Sequence, residues 1–234
     1  MYQINCEIKP IFKADEKMCK DFAQLELLCD LYRGHNHNDW YKTSCEDYYL
    51  QCEKEKNRFI FAAYYDKEII GFTNGYVLAE NMYLDNFYVH PMYQGFGIGT
   101  ELLKRTENAA SIIKPNLKLC PLSSAVSFYQ QYKYNFAPGG KYMIKKLPKT
   151  VNGVEPVFEW CDELTAKLSF KVDTESLKRY KYQAMFVYVG KDNKIDGVAV
   201  RLPNGEKEIK INDKQKSLAK YRMLELSCAL DDCR

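Results

Sequence analysis

Residues 88–103, YVHPMYQGFGIGTELL, place Gly95, Gly97 and Gly99 within five positions, directly before a run of helical character. Glycine inside a regular element costs about 0.5–1 kcal/mol relative to alanine, so this spacing marks a backbone that must turn sharply or be approached closely. Upstream, NMYLDNFYV (81–89) alternates as a strand does, with Tyr83, Asp85, Phe87 and Val89 on one face and Met82, Leu84, Asn86 and Tyr88 on the other. His90-Pro91 closes it, because the residue before a proline leaves helical geometry and the ring donates no hydrogen bond. Downstream, Ile98, Leu102, Thr106, Ala109 and Ile113 recur at helical spacing, with Glu101 and Arg105 four apart on the polar side. Strand, glycine turn and helix is the predicted order. It sets successive unpaired N–H groups at a helix N-terminus, where a phosphate-sized anion is favoured.

Two common phosphate loops do not fit. A Walker A loop needs lysine and then serine or threonine after its last glycine, whereas Thr100 and Glu101 follow Gly99. A Rossmann fingerprint needs Gly-x-Gly-x-x-Gly, and the spacing here is Gly95-x-Gly97-x-Gly99. Gln94-Gly95-Phe96-Gly97-Ile98-Gly99 reads instead as (Arg/Gln)-x-x-Gly-x-(Gly/Ala) after a strand ending in YVHP, and resembles the acyl-CoA loop of the GNAT superfamily of N-acetyltransferases. SSAVSFYQQYKYNF (123–136) is similar to a second segment of that family, Ala-x-x-Phe-Tyr-x-x-x-Gly-Phe, through Ala125, Phe128, Tyr129 and Tyr134 or Phe136. It departs from the pattern at Lys133, where glycine is usual, and at Leu122, where asparagine or serine often stands; Ser123 or Ser124 is left to cap the helix.

The resemblance covers roughly residues 1–148 and implies an α/β (α+β) fold, a mixed sheet flanked by helices, that transfers an acetyl group from acetyl-CoA to a primary amine without a metal. By the same resemblance, Gln94, Gly95, Phe96, Gly97, Ile98, Gly99 and Thr100 cradle the pyrophosphate. Phe87, Tyr88 and Val89 hold the pantetheine as though it were a further strand, in a gap where two strands splay apart. Tyr129 matches the tyrosine that acts as general acid beside the sulfur, and a phenol with pKa about 10 is protonated at neutral pH. A protonated alkylamine with pKa about 10.4 is under about 1% free at pH 7, so a base is needed. Asp85, an acid in an aromatic strand and read as facing the same side as Phe87, is the candidate base or else a structural hydrogen-bond partner. His35, His37 and Asp39 fall in the loop where family members bind acceptors, or are simply polar loop residues.

Elsewhere, Met18, Phe22, Leu25, Cys29 and Tyr32 predict a helix over 14–33, ended by Gly34. Residues 35–44 read as a loop, with Ser44 capping a short helix through Lys54. RFIFAAYY (58–65) and EIIGFTNGYVLA (68–79) predict a hairpin about Asp66-Lys67. A strand at NLKLC, a helix around Tyr129 and a strand over 141–147 complete the order β-α-α-β-β-β-α-β-α-β. PKTVNGVEP (148–156) reads as a linker. The division expected is therefore 1–148, a linker at 149–156, and a small α+β appendage at 157–234. In the appendage, Val157–Leu168 reads as helical, 183–190, 195–203 and the stretch after Asn204-Gly205 as strands, and Lys214–Leu230 as a helix packing through Leu218, Tyr221, Leu224, Leu226 and Leu230.

Composition narrows the class. Of 234 residues, 46% are hydrophobic, enough for a core, yet no window of 18 is wholly apolar, and MYQINCEIKP lacks the pattern of a secretory leader. Nine cysteines without a C-x-x-C pair, beside three histidines, argue for reduced thiols in the cytoplasm and against zinc. The net charge of +3 does not argue for nucleic acid, but between Lys171 and Arg222 there are 13 basic and 7 acidic residues, an excess of six. That stretch, with Tyr180, Tyr182 and Tyr188 as stacking rings, gives one alternative, an RNA-binding module carrying an acetyltransferase domain. A non-catalytic acyl-CoA sensor is the other.

Overall fold

The computed structural model describes residues 4–52, 57–148, 153–179, 184–190, 192–212 and 216–232. The chain divides into two compact units, one of residues 1–107 and 117–145 and one of 108–116 and 146–234.

The first unit is built on β1 (Glu7–Pro10), α1 (Glu16–Tyr32), α2 (Asp39–Cys52), β2 (Arg58–Tyr65), β3 (Glu68–Val77), β4 (Met82–Val89), α3 (Ile98–Ile113) as far as Glu107, β5 (Asn116–Leu119) from Leu117, α4 (Val126–Gln131), β6 (Asn135–Phe136) and β7 (Met143–Lys146) as far as Lys145. The strands form one mixed sheet in the order β1-β2-β3-β4-β5-β7-β6, with β1 to β4 antiparallel neighbours and β4 parallel to β5. Asp15 caps α1 by accepting from the Met18 N–H at 2.8 Å. The second helix starts earlier than Ser44: Asn38 accepts from the Tyr41 N–H at 2.9 Å, so the loop ends at Asn38 and Ser44 lies within α2. Asp66 and Lys67 both take positive φ, 49° and 68°, the geometry of a tight β2–β3 hairpin. Between α4 and β7, the two residues of β6 are too short to leave a periodic signal.

One face of the sheet packs against α1 and α2, where Phe72 meets Phe22 at 4.7 Å and Tyr49 at 5.6 Å between ring centroids. The other packs against α3, where Thr73 meets Thr106 at 3.0 Å between hydroxyls. The simple alternation read along β4 fails at one residue. Asn74 is opposite Asn86 but Gly75 is opposite Leu84, so Asp85 is an extra residue, a β-bulge. Met82 and Leu84 therefore share the α3 face with Phe87 and Val89, while Tyr83, Asn86 and Tyr88 share the α1/α2 face. Gly75 is required there, because a Cβ would lie 2.0 Å from the Tyr83 carbonyl oxygen.

The second unit holds β8 (Gly153–Pro156), α5 (Asp162–Lys167), α6 (Thr174–Arg179), β9 (Ala184–Val189), β10 (Ile195–Arg201), β11 (Lys207–Ile211) and α7 (Lys216–Asp232). Its antiparallel sheet runs β11-β10-β9-β8. Gly153–Pro156, within the stretch read as linker, is thus a strand paired to β9, while 149–152 lie outside the described residues. Only Asp162–Lys167 of the predicted Val157–Leu168 helix is helical; Val157 and Trp160 are buried ahead of it. On α7, Leu226 and Leu230 are buried and Leu224 faces outward, and the side chains of Leu218 and Tyr221 lie outside the described residues.

Candidate active site

The pairing of β4 with β5 covers only Met82–Leu84 against Leu117–Leu119. Cys120 and Pro121 follow, and among the described residues no strand pairs with β4 on that side over its next five residues, to Val89. On its other side the His90 N–H donates to the Ile70 carbonyl at 2.8 Å. Antiparallel ladders alternate, so Tyr88 and His90 turn their backbone groups toward β3 while Phe87 and Val89 turn theirs to the open side. The Val89 carbonyl accepts from Gln94 Nε2 at 3.0 Å and from Cys29 Sγ at 3.4 Å.

The glycine loop follows. Gly95 and Gly97 have φ of 81° and 86°, which other residues adopt only with strain. The first intrahelical bond of α3 runs from the Glu101 N–H to the Gly97 carbonyl at 3.1 Å, so the N–H groups of Ile98, Gly99 and Thr100 have no partner within the helix. Gly99 sits against the open strand: a Cβ there would meet Phe87 at 3.5 Å and Val89 at 3.7 Å. Phe96 is half-buried and Ile98 is buried.

Tyr129 lies on α4, 6% exposed, with its ring 6.1 Å from Phe87, 5.2 Å from Phe128 and 5.6 Å from Tyr134. Burial pushes its phenol well above the ordinary tyrosine range. The helix ends in a Schellman motif: the Tyr134 N–H donates to the Tyr129 carbonyl at 3.1 Å and the Lys133 N–H to the Gln130 carbonyl at 3.0 Å. Lys133 takes φ 67° in that motif, the conformation for which glycine is usual. Beneath it, buried Tyr134 donates to Glu107 at 2.9 Å, and Lys145 bridges both Glu107 oxygens at 2.8 and 2.6 Å.

Asp85 does not face the side of Phe87. The bulge turns it to the α1/α2 face, where its Oδ2 accepts from the Tyr48 hydroxyl of α2 and, at 3.5 Å, from Arg58 of β2. Arg58 is buried and lies 3.7 Å over the Tyr76 ring. Sequence reading missed Tyr48, Arg58 and the bulge itself; the signal was Gly75 of β3, which stands opposite the bulge, since a glycine within a strand marks a bulge or a close backbone approach. His37 is tied into α1, with Nε2 2.8 Å from Asp30 and its ring stacked on Tyr41 at 3.8 Å. The His35 N–H donates to the Asp30 carbonyl at 2.9 Å, and the side chain of Asp39 lies outside the described residues. In the basic stretch, Tyr188 is buried in β9 and offers no stacking surface, and Tyr180 and Tyr182 lie outside the described residues.

Among the described residues no group of histidine, cysteine and acidic side chains is placed to hold a metal, and no helix is long and apolar enough to cross a membrane. The fold is shared with solved proteins. The PaiA N-acetyltransferase of Thermoplasma acidophilum, solved in complex with coenzyme A, is 20% identical with TM-score 0.50 over 61% of this chain and 99% of its own. An acetyltransferase of Thermus thermophilus is 17% identical with TM-score 0.50 over 63% of this chain and 100% of its own. No curated protein matches by sequence. The sequence profile of the acetyltransferase (GNAT) family matches residues 23–131, which span α1 to α4 and take in the bulged strand, the glycine loop and Tyr129. Residues 23–131 are a GNAT acetyltransferase domain, and the chain that carries them is an acyltransferase.

Proposed function

We propose that this chain moves the acetyl group of acetyl-CoA to a primary amine by direct attack within a ternary complex. The observation that carries the reading is the edge of β4 left open at Phe87 and at the Val89 N–H, lying against the first turn of α3, whose leading N–H groups have no partner in the helix. An extended amide chain completes such an edge, and a pyrophosphate suits such a helix end. Gly95, Phe96 and Gly97 shape the turn, Gln94 braces it through the Val89 carbonyl, and Ile98, Gly99 and Thr100 supply amides. The solved neighbour holding coenzyme A supports the same donor.

Asp85 is the proposed base. One of its oxygens is engaged by Tyr48 and Arg58, and the other accepts the amine proton directly or through water. Tyr129 is the proposed acid: burial keeps the phenol protonated at neutral pH, ready to donate to the departing thiolate. The test is thiol release from acetyl-CoA against small amines, peptides with free N-termini, lysine peptides and aminoacyl-tRNA. Turnover with one class identifies the acceptor. Tight acetyl-CoA binding without turnover on any class would replace the enzyme reading with that of a sensor.

A further inference from the structure

Tyr48 of α2 takes no proton in the chemistry above, yet its hydroxyl has three polar partners beside the bulge, Asp85, Arg58 and Asn86. Arg58 Nη2 donates to it at 2.8 Å and Asn86 Nδ2 at 3.5 Å. A phenol oxygen carries one proton and two acceptor sites. With both acceptor sites taken, the proton is left for Asp85 Oδ2, toward which it is aimed. A donor fixed in that direction serves an acceptor-only carboxylate. Its donors are themselves held. Arg58 is 4% exposed and stacked on Tyr76. The Asn86 N–H donates to Asn74 Oδ1 at 3.2 Å, and Asn86 Nδ2 also reaches the Tyr49 hydroxyl at 3.2 Å, which in turn donates to Glu26.

We propose that Tyr48 is a positioning residue for acetyl transfer: it pins Oδ2 of the bulge residue Asp85 and so fixes the orientation of that carboxylate, leaving Oδ1 to take the amine proton. This rests on the reading of Asp85 as base. The groups around Asp85 are Tyr48 from α2, Arg58 from β2 and Tyr83 from β4, with Tyr76, Tyr142 and Cys120 around Tyr83. Arg58 is the cation among them and is retained in the variants below, so the Tyr48 hydroxyl is the one contribution removed.

The experiment uses the full chain labelled with ¹³C at the aspartate carboxyls. The Asp85 signal is identified by its loss in Asp85→Asn, and its titration is followed in the parent, in Tyr48→Phe and in a protein with 3-fluorotyrosine at position 48. Loss of the donor to Oδ2 moves the midpoint to higher pH. The more acidic fluorinated phenol, which retains the hydroxyl and the packing, moves it to lower pH. With the amine that turns over, the acid limb of the kcat/KM profile follows in the same directions. A midpoint unmoved in both variants overturns the proposal, and 3-fluorotyrosine alone decides if Tyr48→Phe does not fold. The base reading is judged separately, because Asp85→Asn at the parent rate would remove Asp85 from catalysis whatever Tyr48 does to its titration.

Discussion

The hydroxyls of Thr100 and Tyr132 stand 2.6 Å apart, joining the first turn of α3 to the residue that ends α4. The pair ties the helix end proposed for the pyrophosphate to the helix that carries Tyr129. Thr100→Val and Tyr132→Phe should each cost about 0.5–1.5 kcal/mol in urea unfolding, and the double variant little more than either alone. Additive losses would mean that the two hydroxyls do not act as a pair.

Gly97 separates backbone strain from charge. Asn and Asp are nearly the same shape, and each pays for φ 86° in similar measure, so the ratio of Gly97→Asp to Gly97→Asn isolates the negative charge at the head of α3. Acetyl-CoA should bind Gly97→Asp at least about tenfold more weakly than Gly97→Asn, by calorimetry at low salt, with the gap narrowing as salt rises. Equal affinities would remove the pyrophosphate from this helix end.

Tyr129→Phe keeps a ring that packs on Phe87, Phe128 and Tyr134. The Kd for acetyl-CoA and the unfolding midpoint should hardly change, while kcat falls by about 10²–10⁴-fold, the range for a positioned acid. A parent-like kcat would reduce Tyr129 to a core aromatic.

Lys133 occupies the left-handed position of the Schellman motif with φ 67°. Relief of that conformation is worth about 1–2 kcal/mol, against about 0.5–1 kcal/mol for the greater freedom of glycine in the unfolded chain. Lys133→Gly should therefore stabilise the protein by about 0.5–1 kcal/mol in denaturant unfolding, and a loss of stability would show that the lysine side chain holds the motif in another way.

In the second unit, the hydrogen bond from Lys114 holds the Glu163 carboxyl down at about 2, against an unfolded value of 4.5. A carboxyl lowered in the folded state contributes stability above its unfolded value, and that contribution is lost as pH falls through about 4.5 toward about 2. Glu163→Gln should thus lower the urea midpoint at pH 7, and its difference from the parent should shrink across that window; a difference constant with pH would contradict the pairing. The effect is small, because the Glu163 side chain is 45% exposed.

The strand, glycine loop and helix of residues 81–113 were legible because each carries its own local signal: alternation, Pro91, glycines and a 3.6-residue apolar repeat. Tyr129 was legible only through its neighbours in AVSFYQQY, since one tyrosine among 19 has no periodicity that marks it. The environment of Asp85 was not legible. It depends on Tyr48 and Arg58, 37 and 27 residues away in the chain, brought together by tertiary packing. The α2 start was misplaced because Ser44 and Asn38 are both good caps, and tertiary packing of Cys45 and Tyr49 extends the helix a turn and a half earlier than propensity suggests.

The extra residue at position 85 also acts as a half-period phase slip. Along β4 the side chains turned to α3 are even-numbered before the slip and odd-numbered after it, so a substitution scan of the strand should show two tolerance patterns of opposite parity meeting at Asp85. Any relative whose corresponding strand lacks the insertion must be aligned with a one-residue gap there. Without that gap, every position from Asn86 to Val89 is compared with a residue from the wrong side of the sheet.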